Sequence, residues 1–247
     1  MPSGGLLAET VSFRGYADDE ITGYLARPND EGPYPGVIVI HEVFGMVPWI
    51  KQVTRNIADR GFVALALDLH HREGPGDPTD VAAIVRAGGG NPDARTIGDV
   101  DGAVKYIGSL PVGSGKVGCI GFCSGGRQSY LVACSVPSLD AAVVCYGGRI
   151  VADSDQLNAV QSRAPIDMTQ DINCPVLCLF GAEDSSPSPG DAAKIEVELR
   201  RYDKSYKIYT YDDAGHGFFA DYRPSYRQHA AVEGWGRIFD WYDKHLR

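Results

Sequence analysis

Cys123 lies in Gly121-Phe122-Cys123-Ser124-Gly125-Gly126, with a glycine two residues to either side. A nucleophile elbow needs this pattern, because its sharp strand-to-helix turn holds the central residue in a strained conformation. Side chains at the flanking positions would collide with the neighbouring strand and helix. Serine is the usual occupant of the centre, and cysteine stands there instead. At a helix N-terminus the dipole favours thiolate, the reactive form. The backbone N–H of Ser124 would then point into the site as one oxyanion donor.

A thiol nucleophile needs a base, and the base needs a third group to orient it. Where the nucleophile sits on such an elbow, the chain order is nucleophile, acid, histidine. Asp184 closes Gly181-Ala182-Glu183-Asp184, and His216 is centred in Asp213-Ala214-Gly215-His216-Gly217-Phe218, so the order holds. A histidine between two glycines is poorly explained by core packing and well explained by catalysis. Glu183, Asp212 and Asp213 are local rivals for the acid, although they read more readily as solvated loop charges. His41-Glu42 lacks the second histidine of a zinc motif, and His70-His71 is too sparse for a metal site. His229 and His245 read as surface residues of a charged C-terminal helix. Neither a metal nor a cofactor is expected.

These residues must be positioned by regular elements. Thr10–Arg14 and Ile21–Arg27 alternate around Asp18-Asp19-Glu20 and read as an opening hairpin. Gly36–Val43 and Phe62–Leu69 are continuous apolar runs, as strands buried on both faces are. Between them Pro48 starts a helix with Ile50, Val53, Ile57 and Ala58 on one face, and Gly61 closes it. Arg72–Pro78 and Gly88–Pro92 are Gly- and Pro-rich breaks. A helix follows from about residue 93 to 110, then a strand over Lys116–Phe122 and a helix over Ser124–Val136. Ala141–Tyr146, Val176–Phe180 and Tyr206–Tyr211 are further strands, with helices near 189–201 and 225–245. Alternating β and α elements imply a mostly parallel sheet with helices on both faces, an α/β architecture. Without a repeat or linker, residues 1–247 are expected to form a single domain. Right-handed crossovers place an active site outside the carboxyl ends of the strands. That rule singles out Glu42, His70, Cys123, Arg149, Asp184 and His216.

Bulk properties narrow the partners. A net charge of -9, with no basic stripe to offset it, argues against nucleic acid. The chain is long enough to bury a substantial core without staples. Its six cysteines accompany no export signal, so reduced thiols in a cytoplasmic compartment are expected. Four of them fall in apolar runs, where a free cysteine acts as a small hydrophobe. No apolar run approaches the roughly 18 residues of a membrane span. A small-molecule substrate and a monomer or homodimer are expected.

Together the blocks His41-Glu42-Val43-Phe44-Gly45, Gly121 to Gly126, Gly181 to Asp184 and Ala214 to Phe218 resemble the dienelactone hydrolase (carboxymethylenebutenolidase) family. The resemblance spans nearly the whole chain, with the blocks in the family's order. It implies an α/β-hydrolase fold, a Cys123–His216–Asp184 triad and cleavage of a small ester or lactone through a thioester acyl-enzyme. It also implies that Glu42 sits close to the thiol and controls its ionisation, since a nearby carboxylate disfavours a resting thiolate and protects it from oxidation. The family pattern makes the Val43 backbone N–H the second oxyanion donor, beside Ser124.

In one respect the chain departs from the family. Members acting on dienelactone hold its carboxylate with arginines, one before the long middle helix and one shortly after the catalytic histidine. Here the first region offers only Arg86, and no arginine follows His216 until Arg223. Arg149 is the residue expected to bind substrate instead. A general carboxylesterase or thioesterase with the same triad remains open, as does a redox-sensing thiol protein without turnover.

Overall fold

A computed structural model describes residues 4–247. Eight strands form one sheet: β1 (Leu6–Arg14), β2 (Glu20–Pro28), β3 (Tyr34–Ile40), β4 (Val63–Leu67), β5 (Gly113–Phe122), β6 (Ala141–Cys145), β7 (Val176–Gly181) and β8 (Tyr206–Tyr211). Their order across the sheet is β1-β2-β4-β3-β5-β6-β7-β8. β1 pairs antiparallel with β2 and β2 antiparallel with β4, while every pair from β4 to β8 is parallel. This is the α/β-hydrolase arrangement.

The apolar runs behave as doubly buried strands do, with successive side chains entering opposite layers. Ile38, Ile40, Val63, Leu65 and Leu67 join one core cluster, whereas Val37, Val39, Ala64 and Ala66 join the other. Three helices cover the first face: α3 (Asp93–Ser109), α4 (Ser124–Ser135) and α5 (Pro189–Arg201). The second is covered by α1 (Pro48–Asp59) and α6 (Gln228–Leu246). α4 is buried at every residue from Gly125 to Cys134, because the sheet, α3 and the turn of Pro165–Asp171 enclose it.

One further helix, α2 (Pro78–Ala87), occupies a stretch to which the hydrophobic spacing assigned no element. Asp77 caps it, its carboxylate accepting from the Thr79 N–H at 2.8 Å, and Pro78 opens it. Val81, Ala82 and Val85 form its buried face. A second difference concerns His245, which is half-buried with its ring 4.4 Å from that of Trp241. His229 on the same helix is exposed. No helix among the described residues is long and apolar enough to cross a membrane.

Candidate active site

Cys123 joins β5 to α4 at φ 57° and ψ -118°, a conformation that costs a non-glycine residue about 1–3 kcal/mol. The surroundings hold it there. Its N–H donates to the Cys145 carbonyl at 3.1 Å, and its own carbonyl accepts from Gly126 and Arg127 at 2.9 and 3.2 Å. The flanking glycines are required by close approach. A Cβ on Gly121 would lie 1.9 Å from the Gly125 carbonyl oxygen, and one on Gly125 would lie 2.3 Å from that of Ile40. Any side chain there would push α4 away from the ends of β3 and β5.

His216 and Asp184 meet because the loops after β7 and β8 also pack closely. His216 Nδ1 and Asp184 Oδ2 are 2.8 Å apart. Asp184 is almost fully buried, and its other oxygen accepts from the Ser186 N–H at 2.8 Å. Glu183, Asp212 and Asp213 are exposed, which leaves Asp184 as the carboxylate on the imidazole. Burial alone would lower the His216 pKa. The hydrogen bond with Asp184 and the neighbouring Cys123 outweigh it and push the value up to about 10.

The three side chains line one cavity of about 550 Å³. Val43, Ser124, His70 and Arg149 line it as well, and so do Arg86 from α2 and the amide side chains of Gln128, Asn158 and Gln161. Of the positions that follow the strands, only Glu42 is absent from the lining. It is fully buried and paired with Arg223, whose Nη2 lies 2.7 Å from Glu42 Oε2. Burial raises the Glu42 pKa, and the charges of Arg223 and His216 oppose that rise. The Arg223 guanidinium is itself held over the rings of Phe44 and Tyr222 at 4.6 and 5.2 Å.

Arg149 and Arg86 are not engaged by any carboxylate among the described residues. Arg149 donates to the carbonyl of Gln156, which leaves its charge unneutralised. Arg127, by contrast, is spent on Asp93 in a two-pronged pair at 2.6 and 3.0 Å that ties α4 to α3. Tyr146, read from the sequence only as the end of a strand, lies just beyond β6 and beside the histidine. Its ring lies edge-on to His216 with centroids 5.2 Å apart, and it sits at φ 38°, which hydrophobic spacing does not reveal. A larger apolar groove of about 840 Å³ runs past Phe44, Trp49 and Tyr222, but its walls carry neither thiol nor histidine. Among the described residues no three His, Cys, Asp or Glu side chains converge as metal ligands do.

The sequence profile of the dienelactone hydrolase family matches residues 21–246. The chain belongs to that family. A protein of Methylorubrum extorquens, provisionally named a carboxymethylenebutenolidase, is 36% identical over 241 residues, covering 96% of this chain and 81% of its own. One from Escherichia coli with the same provisional name is 36% identical over 92% of this chain and 83% of its own. A crystal structure from Klebsiella pneumoniae, of a protein provisionally named a dienelactone hydrolase, superposes with a TM-score of 0.90. It shares 31% identity and covers 98% of this chain and 100% of that one. This dienelactone hydrolase family member is accordingly a hydrolase acting on esters or lactones.

Proposed function

We propose that this protein hydrolyses a small ester or lactone bearing a negative charge, with Cys123 as nucleophile, His216 as base and acid, and Asp184 as its orienting group. The contact that carries this reading is His216 Nδ1 on Asp184 at 2.8 Å, in the cavity that Cys123 lines. With Nδ1 so engaged, Nε2 is left for the thiol. His216 holds the thiol proton of Cys123 as the sulfur bonds to the carbonyl carbon. The N–H groups of Ser124 and Val43 stabilise the resulting oxyanion. As the C–O bond breaks, His216 returns the proton to the departing alkoxide, which in a lactone stays attached to the acyl chain. Water, deprotonated by His216, then cleaves the thioester, and the thiol is restored.

Glu42 belongs to this machinery from behind. Its buried carboxylate, tempered by its pairing with Arg223, is read as the negative charge that restrains the thiol. Arg86 and Arg149 supply the opposite field at the cavity rim. On a chain of net charge -9, two unneutralised guanidiniums beside the nucleophile favour an anionic substrate. In this reading Arg149 binds the charge of the substrate, with Arg86 as its companion.

The test is turnover of cis- and trans-dienelactone beside neutral aryl esters, for wild type and Cys123→Ala. Cys123→Ala is expected to abolish hydrolysis of every substrate. Full turnover by that variant would remove Cys123 as nucleophile. Equal preference for charged and neutral esters would instead leave the thiol chemistry standing and make the protein a general carboxylesterase.

A further inference from the structure

His41 directly follows β3 and is fully buried. The Leu69 backbone N–H donates to its Nε2 at 3.2 Å. An amide N–H can only give a proton, so Nε2 is the unprotonated nitrogen. Burial keeps the ring neutral by pushing its pKa down, against the raising influences of the Glu42 carbonyl and Asp68. The one ring proton is therefore on Nδ1, and Nδ1–H donates to the Glu42 carbonyl at 2.7 Å. The tautomer is fixed by its partners.

The Glu42 carbonyl also accepts from the Gly45 N–H at 3.1 Å, so two donors hold it from the same side of the chain. The Glu42–Val43 bond is trans, which sets the Val43 N–H antiparallel to that carbonyl. Val43 lines the cavity with Cys123 and Ser124. Its N–H donates to no other group among the described residues. The side of the peptide facing away from His41 is thus the side that carries a free donor.

We propose that His41 is a positioning residue of the oxyanion hole, clamping the Glu42 carbonyl so that the Val43 N–H stays aimed at the substrate oxygen. This rests on the reading of Val43 and Ser124 as the oxyanion donors. The bond from Nδ1 also polarises the shared peptide group, which strengthens its N–H as a donor. His70 backs the clamp with its ring edge-on at a centroid distance of 4.6 Å. Burial and the neighbouring His41 lower the His70 pKa to about 3, so the pair stays neutral.

Two substitutions separate hydrogen bonding from packing. His41→Phe keeps a ring against His70 and loses the donor. His41→Asn loses the ring and keeps an N–H near the position of Nδ1. Each is assayed for aryl-ester kcat and KM and for the rate at which iodoacetamide alkylates Cys123. Alkylation forms the S–C bond and expels iodide without building an oxyanion, so it reports the thiol and its base alone.

His41→Phe is expected to lower kcat roughly tenfold to a hundredfold with KM and alkylation little changed, as for a misaimed donor. His41→Asn is expected to recover most of that loss. Wild-type kcat in His41→Phe, or a deeper loss in His41→Asn than in His41→Phe, would overturn the proposal and make His41 a packing residue. An equal fall in turnover and alkylation would also overturn it. Should His41→Phe fail to fold, His41→Met removes the donor with a more adaptable chain and is read in the same way. Cys123→Ala run alongside keeps the two readings apart: turnover there defeats the thiol mechanism whatever His41 does.

Discussion

His216 is subject to opposing influences whose balance sets a pH dependence. Burial disfavours the imidazolium, and the hydrogen bond with Asp184 together with the neighbouring Cys123 favours it more strongly, so its pKa rises from the ordinary 6.5 to about 10. A histidine whose folded pKa is raised binds its proton more tightly folded than unfolded. Its stabilising contribution is fully present below about pH 6.5 and is lost as pH climbs through about 10. Wild type should therefore lose thermal stability across that window. Asp184→Asn removes one of the groups that raise the pKa, so its melting temperature should fall less between the same limits. Thermal denaturation at closely spaced pH values measures the difference, and parallel curves would exclude Asp184 as the source. Cys123, His216 and Asp184, which the fold brings to one cavity, could be singled out in the sequence because each is flanked by glycines or follows a strand end. The Glu42–Arg223 pair was not, since its members are 181 positions apart and nothing local couples them.

At the scale of elements, α2 shows what periodicity misses. Its ten residues bury only Val81, Ala82 and Val85, and a Gly- and Pro-rich stretch precedes it. The readable signal was local instead: Asp77-Pro78 is a cap followed by a first-turn proline, and Gly88 ends the helix. The helix matters because it delivers Arg86 to the cavity rim. Asp77→Ala removes the cap and should weaken α2 by about 1 kcal/mol. Since Asp77 is outside the cavity, kcat on a neutral aryl ester should be unchanged. KM for an anionic ester should rise as Arg86 becomes less well placed. A rise in KM for both esters alike would mean that α2 shapes the cavity without contributing charge.

For the whole molecule, the apolar runs made a sheet covered on both faces legible, because a strand with no polar side has no solvent to face. Strand order was not legible, as hydrophobic spacing reports burial and is silent on which strand neighbours which. The same burial decides the state of the thiols. Of the six cysteines, Cys119, Cys134, Cys145, Cys174 and Cys178 are buried, and Cys123 alone is partly accessible. Burial pushes the thiols of Cys119 and Cys174 up to about 12 and raises the other three further. A thiol held protonated and out of water reacts slowly, whatever the intrinsic nucleophilicity of sulfur. An aromatic disulfide reagent at mildly alkaline pH should therefore modify one thiol per folded chain quickly and all six in denaturant. In Cys123→Ala the fast phase should vanish and the denatured total should drop to five. Two or more fast thiols in the folded wild type would show that the core opens on the timescale of labelling, and the selectivity of Cys123 would then need another explanation than burial of its rivals.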